Sequence, residues 1–250
     1  MKEAQDDLTV GVLGGLGPEA TLDFMGKVLR LSGARSDQEH LHLLIDCNPK
    51  VSNRNDAIAS RGPSSGPALV AMAQRLEAAG ADFLVMACNT AHFYEAGIRA
   101  GVRVPFVSIV EETCTALARR LPGARRFGVL AAGGCRQAGL YEKALRRHGF
   151  EPVVTDEPEQ ARFMELMYAI KAGERGGAVA EGMRALGEAL IARGAEAVIA
   201  ACTEVPLVLG EGDLSRPLVD STAILAEATV AYGKRRRPLP VQGDHAPSAG

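Results

Sequence analysis

Tryptophan is absent and aromatic residues make up only 4% of the chain, which argues against base-stacking surfaces for nucleic acid. A basic surplus is missing too: 28 Lys and Arg against 30 Asp and Glu leave a formal charge of −2. Proteins that track nucleic-acid phosphates normally carry the opposite balance. No apolar run reaches the roughly 18–20 residues that a membrane-spanning helix needs. The opening Met1-Lys2-Glu3-Ala4-Gln5-Asp6-Asp7 lacks the basic region and apolar core of a signal peptide. Five cysteines, an odd number without CxxC spacing, suit a reducing compartment better than a disulfide framework. The expectation is a cytoplasmic protein with neither nucleic acid nor membrane as partner. What remains is ample for a core: 250 residues, 47% hydrophobic and 23% charged, enough for one large domain or two small ones.

Short apolar runs with β character alternate with helix-period stretches. The clearest runs are Thr9–Leu13, Leu41–Asp46, Phe83–Ala87, Phe106–Val110, Phe127–Ala131, Val198–Ala201 and Leu218–Asp220. Between them, Leu69, Met72, Ala73, Leu76 and Ala79 recur at helical spacing after Pro67, and Gly80 stands where that helix stops. Continuous apolar strands separated by helices predict parallel sheets covered on both faces, an α/β fold.

The chain also repeats itself. Residues 80–88, Gly-Ala-Asp-Phe-Leu-Val-Met-Ala-Cys, align with residues 194–202, Gly-Ala-Glu-Ala-Val-Ile-Ala-Ala-Cys, at an offset of 114 with four identities in nine. Gly11-Val12-Leu13 aligns with Gly128-Val129-Leu130, and Ser108-Ile109-Val110-Glu111 with Leu218-Val219-Asp220-Ser221. Three matches in one order predict two similar α/β domains with parallel central sheets, related by a pseudo-twofold axis with a cleft between them. The first spans residues 1–121 and the second 122–232, with a segment near 206–232 able to pack back on the first. Residues 233–250, with Lys234-Lys/Arg character followed by Pro, Gly and Ser, read as a disordered, solvated tail.

Ligands of parallel α/β sheets bind beyond the carboxyl ends of the strands. Cys88 and Cys202 both stand there, at duplicated positions. A helix beginning at either one would stabilise its thiolate through the dipole and the first free amides. One such cysteine alone reads as structural; a duplicated pair facing one cleft reads as functional. Disulfide redox usually employs CxxC. Metal binding would want ligand-like spacing among the five histidines, which is not there. A third chemistry is proton shuttling across a carbon, one base removing a proton from one face and an acid delivering one to the other. Asn89, Thr90 and Thr203 supply short polar groups beside the cysteines, suited to an amino-acid substrate or to simple helix capping. Gly14-Gly15-Leu16-Gly17-Pro18-Glu19 can offer backbone amides at Gly15 and Leu16 to a carboxylate. It lacks the third glycine of a dinucleotide fingerprint.

Three segments, residues 14–21 (Gly-Gly-Leu-Gly-Pro-Glu-Ala-Thr), 87–91 (Ala-Cys-Asn-Thr-Ala) and 201–206 (Ala-Cys-Thr-Glu-Val-Pro), together resemble the aspartate/glutamate racemase family. The resemblance runs from Val10 to about Tyr232. It implies a cofactor-independent isomerase, with no metal, that interconverts L and D enantiomers of aspartate, glutamate or a related amino acid, and a homodimer. It places the catalytic cysteines on Cys88 and Cys202 and ligand-binding residues on Asn89, Thr90 and Thr203. By the same resemblance Arg54, after Asn48-Pro49, and Lys171 are cationic contacts for a distal carboxylate. Without it both read as solvated charges. His92, four residues past Cys88, can tune the thiol or pack, and Glu204 can assist proton movement or favour a helix start.

One departure stands out. Where the family usually shows a Thr-rich turn after the first strand of the second half, this chain has Ala132-Gly133-Gly134-Cys135. Competing readings are another activity on a small dicarboxylic acid, such as an isomerase or a decarboxylase, and a non-catalytic small-acid binding protein. Retention of two cysteines weighs against a one-thiol decarboxylase.

Overall fold

The apolar runs pair into two four-stranded parallel sheets in a computed structural model that describes residues 7–241. The first half runs β1 (Val10–Gly14), α1 (Pro18–Ser32), β2 (Leu43–Cys47), α2 (Arg54–Ile58), α3 (Gly66–Ala78), β3 (Phe83–Met86), α4 (Glu95–Gly101), β4 (Phe106–Val107) and α5 (Ile109–Arg120). The second runs β5 (Arg126–Ala131), α6 (Gly133–Ala138), α7 (Leu140–Arg147), β6 (Glu151–Val154), α8 (Glu157–Lys171), α9 (Gly177–Ala192), β7 (Ala197–Ala201), β8 (Leu218–Asp220) and α10 (Ser221–Gly233). Strand order is β2-β1-β3-β4 in one sheet and β6-β5-β7-β8 in the other. The same order twice is the duplication made visible.

Period-two alternation decides which residue faces which core. Val12, Val85, Val129 and Ile199 point into a shared core with Leu117 of α5, Tyr141 of α7 and Leu225 of α10. Their neighbours point the other way. Leu13, Leu84 and Met86 meet Leu69, Met72 and Leu76 of α3, while Leu130, Val198 and Ala200 meet Phe163 of α8 and Met183 of α9. Both faces of each sheet are therefore dry, as parallel sheets require. Helix α10 leaves the second sheet and packs on α1 and α5 of the first half, where the Tyr232 hydroxyl donates to Glu112 at 2.7 Å.

Two strands differ from the sequence reading. β6 was not among the apolar runs because it is an edge strand carrying Glu151 and Pro152, the residues an edge tolerates and an interior strand does not. β4 stops at Val107 because Ser108 N-caps α5 and Ile109 already lies in that helix. Residues read as the beginning of a solvated tail are partly held: Lys234 pairs with Asp7 at 2.6 Å and Arg237 with Glu112 at 2.6 Å. The rest of that tail, residues 242–250, lies outside the described residues. No helix among the described residues is long and apolar enough to cross a membrane.

Candidate active site

Cys88 lies two residues past β3 and Cys202 one residue past β7, each 6% exposed. β3 and β7 occupy the same place in their sheets, so each thiol is delivered to the carboxyl edge in the same way. The two line one small cavity between the halves. The first half adds Leu16, Arg54, Asn55, Asn89 and Thr90. The second adds Ala132, Met167, Lys171, Thr203 and Glu204. The free space is ≈20 Å³, about what one water occupies. Among the described residues no three His, Cys, Asp or Glu side chains converge to hold a metal ion.

The electrostatics differ from those expected of a helix start. No α-helix begins at either cysteine; each is followed by a 3-10 turn, Thr90–Tyr94 after Cys88 and Val205–Leu207 after Cys202. Cys202 instead donates to the Glu204 carboxylate at 3.0 Å. Burial, then the Glu204 charge, push its thiol well above the usual value of 9.0, with Lys171 pulling the other way. Cys202 is therefore held protonated. Glu204, 4% exposed, also accepts from the Thr203 hydroxyl at 3.3 Å and forms an ion pair with Lys171. Burial lowers the proton affinity of the Lys171 ammonium, but Glu204 and the nearby cysteines outweigh it and the net shift is upward. Lys171 stays charged.

Arg54 reaches the cavity from the start of α2. Its guanidinium donates to the carbonyls of Leu16 at 2.7 Å, Val51 at 3.1 Å and Ser52 at 3.0 Å. Among the described residues no carboxylate pairs with it, so its charge is open to an anion. Asn89 is oriented from both sides: Tyr141 donates to its Oδ1 at 2.7 Å, and its Nδ2 donates to Ser221 at 3.2 Å.

One sequence assignment, Gly15, needs correction, and for His92 the packing alternative is the one the structure favours. Gly15 does not line the cavity, and its amide is already committed to the Thr21 hydroxyl at 2.8 Å. Its φ of +79 lets the chain turn where a Cβ would lie 2.4 Å from the Asn48 nitrogen, so glycine is required there for the bend. His92 does not reach the Cys88 thiol. Its Nδ1–H donates to the Cys88 carbonyl at 2.8 Å, and its Nε2 accepts the Ile109 amide at 3.1 Å. It is a buried strut for the backbone that carries Cys88. A 3-10 turn, with three residues per turn, does not stack positions four apart.

Asn55 and Met167 were missed. Met167 precedes Lys171 by four residues on α8, a same-face spacing that could have found it once Lys171 was singled out. Asn55 had only its neighbour Arg54 as a signal. Its Oδ1 accepts the Gly134 amide at 2.9 Å across the cleft, a contact between residues 79 apart.

Known proteins share this two-sheet fold. The sequence profile of the family described as Asp/Glu/Hydantoin racemase matches residues 13–229. The chain belongs to that family. It is an enzyme of the isomerase class. It is 32% identical to the broad specificity amino-acid racemase RacX of Bacillus subtilis (strain 168) over 230 residues, 89% of this chain and 96% of that protein. The Picrophilus torridus aspartate racemase superposes with a TM-score of 0.77 at 27% identity, covering 89% of this chain and 93% of its own. Glutamate racemase isoform RacE1 of Bacillus anthracis, at 16% identity and a TM-score of 0.64 over 95% of this chain and 85% of its own, shares the fold.

Proposed function

We propose that this family member is an amino-acid racemase in which Cys88 and Cys202 exchange the α-proton from opposite faces of the substrate. The observation that carries the reading is the delivery of both thiols to one cavity from equivalent strands of two repeated sheets. Cys202, held protonated by burial and Glu204, begins as the donor. Cys88 then serves as the base for the enantiomer that presents its α-hydrogen to it, and the roles reverse for the other.

The developing carbanion needs fixed positive charge and exclusion of water. Arg54 supplies an uncompensated guanidinium for a substrate carboxylate, with Asn89, Thr90 and Thr203 as neutral partners. Glu204, bonded to both Lys171 and Cys202, is placed to ease proton movement at the second thiol. A homodimer and a cytoplasmic location accompany the reading through the family; sedimentation tests the first and cell fractionation the second.

Racemisation in deuterated water, sampled at low conversion, tests the chemistry. Two opposed bases place solvent deuterium on newly formed product while unreacted substrate stays largely protiated. Cys88→Ser and Cys202→Ser should each abolish racemisation. Substantial protium in early product, or near-normal racemisation by either variant, would refute the mechanism.

A further inference from the structure

We propose that Tyr141 and Ser221 are positioning residues of the site, acting through Asn89 to keep an amide N–H, and not the amide oxygen, turned to the substrate; the proposal rests on the racemase reading above. Asn89 follows Cys88 and lines the cavity from the first half. Both residues that grip it come from the second half, Tyr141 from α7 and Ser221 from the start of α10. All three are buried, so their polar groups must find partners within the protein.

A count of protons fixes which way the amide faces. A serine hydroxyl has one proton, and Ser221 spends it on the Ala200 carbonyl at 2.6 Å. Toward Asn89, 3.2 Å away, Ser221 can therefore only accept, and the group it meets must be the NH2. The other end, Oδ1, accepts from the Tyr141 hydroxyl at 2.7 Å. Burial pushes the Tyr141 phenol well above its usual 10.0, so that proton is kept. The Thr113 hydroxyl is the more distant acceptor, 3.5 Å from Tyr141, and its own proton goes to the Ile109 carbonyl at 2.7 Å. With Oδ1 held by Tyr141 and one Nδ2–H by Ser221, the second Nδ2–H is the donor that Asn89 has left to offer. A donor suits carboxylate oxygens, which gain charge as the α-proton leaves; an amide oxygen in its place would repel them. The same chain has a second effect. Ala200 belongs to β7 and lies two residues before Cys202, so Ser221 ties the residue beside one thiol to the strand that carries the other. Asn89 is held this way only while the two halves are docked.

Tyr141→Phe and Ser221→Ala test the proposal in the full chain. The substrate is whichever common L-amino acid the unaltered protein exchanges fastest at its α-hydrogen in deuterated water. Each variant should raise KM by roughly 2- to 13-fold, the loss of one net hydrogen bond. A population that is merely less folded lowers kcat and leaves KM in place. Protection of Cys88 and Cys202 from iodoacetamide by the same amino acid reads affinity where turnover is too slow. Tyr232→Phe is the comparator: this tyrosine is also buried and donates at 2.7 Å, but to Glu112 of α5, which does not line the cavity. It should lose stability with KM unchanged. In an Asn89→Ala background Tyr141→Phe should weaken affinity no further, because residues that act through one another are not additive. An unmoved KM in either folded variant overturns the proposal. So does a Tyr141→Phe effect as large in Asn89→Ala as in the unaltered protein. Both results leave the racemase reading intact so long as the unaltered protein racemises through its two cysteines. Failure of every amino acid to exchange its α-hydrogen sinks both.

Discussion

The Cys202 thiol donates to Glu204 at 3.0 Å, and the same carboxylate holds Lys171. Three ionisable groups therefore share one buried charge balance, in which the thiol is the member kept neutral. Removing the carboxylate charge while keeping its shape should release the thiol. In Glu204→Gln the Lys171 cation acts on Cys202 without opposition, and the thiol's proton affinity falls. Alkylation of Cys202 by iodoacetamide below pH 9, followed by peptide mass spectrometry, should accelerate by about tenfold for each unit the pKa drops. An unchanged rate would mean that burial alone sets the thiol.

A second expectation concerns acid stability. His92 is buried and neutral, with burial as the main cause of a proton affinity below the usual 6.5 and the Glu95 charge only partly opposing it. Below pH 6.5 the unfolded chain protonates this histidine while the folded chain does not. The unfolded state then binds more protons, so unfolding free energy falls as pH falls. One such group contributes a slope of at most about 1.4 kcal/mol per pH unit. Urea titrations at pH 7.5, 6.5 and 5.5 measure it, and His92→Gln should flatten the loss. The variant should also be less stable at pH 7.5, because the Cys88 carbonyl and Ile109 amide lose well-placed partners at roughly 1–3 kcal/mol for an unsatisfied buried group.

Much of this molecule is legible in its sequence, and the boundary is physical. The two sheets are legible because a strand dry on both faces must be a continuous apolar run, and residues 83–87 and 197–201 are such runs. Cys88 and Cys202 are legible because each ends one of those runs at a repeated position. Edge strand β6 is not, since its exposed Glu151 breaks the pattern. The site's wiring is not legible either. Lys171 meets Glu204 across 33 residues, Tyr141 meets Asn89 across 52, and Asn89 meets Ser221 across 132. Such pairings depend on how elements far apart in the chain dock, and no local spacing encodes that. His92 shows how spacing alone leaves two readings open: four residues past Cys88 it could tune the thiol or pack, and in the 3-10 turn it occupies the ring is spent on the backbone.

The last expectation concerns entry. Contacts between α2 and the second half border this small cavity, so their opening is expected to govern access to it. Bonds that join the two halves include three that can be tested here. Asn53 donates to the Tyr168 hydroxyl at 3.1 Å, Gly134 donates to Asn55 at 2.9 Å, and Arg175 pairs with Glu19. The first is the simplest to remove without disturbing packing, because Tyr168 is 42% exposed and Phe retains its ring. A net hydrogen bond is worth about 0.5–1.5 kcal/mol, which is roughly a 2- to 13-fold change in an opening equilibrium. Tyr168→Phe should therefore speed alkylation of both Cys88 and Cys202 by that factor under conditions where opening is fast and limits access by its population. Global stability should change by no more than the same bond. Equal acceleration at the two thiols is the informative result, since they sit in one cavity and share one mouth. Acceleration at neither would exclude this bond as the gate, and acceleration at Cys202 alone would indicate separate routes to the two thiols.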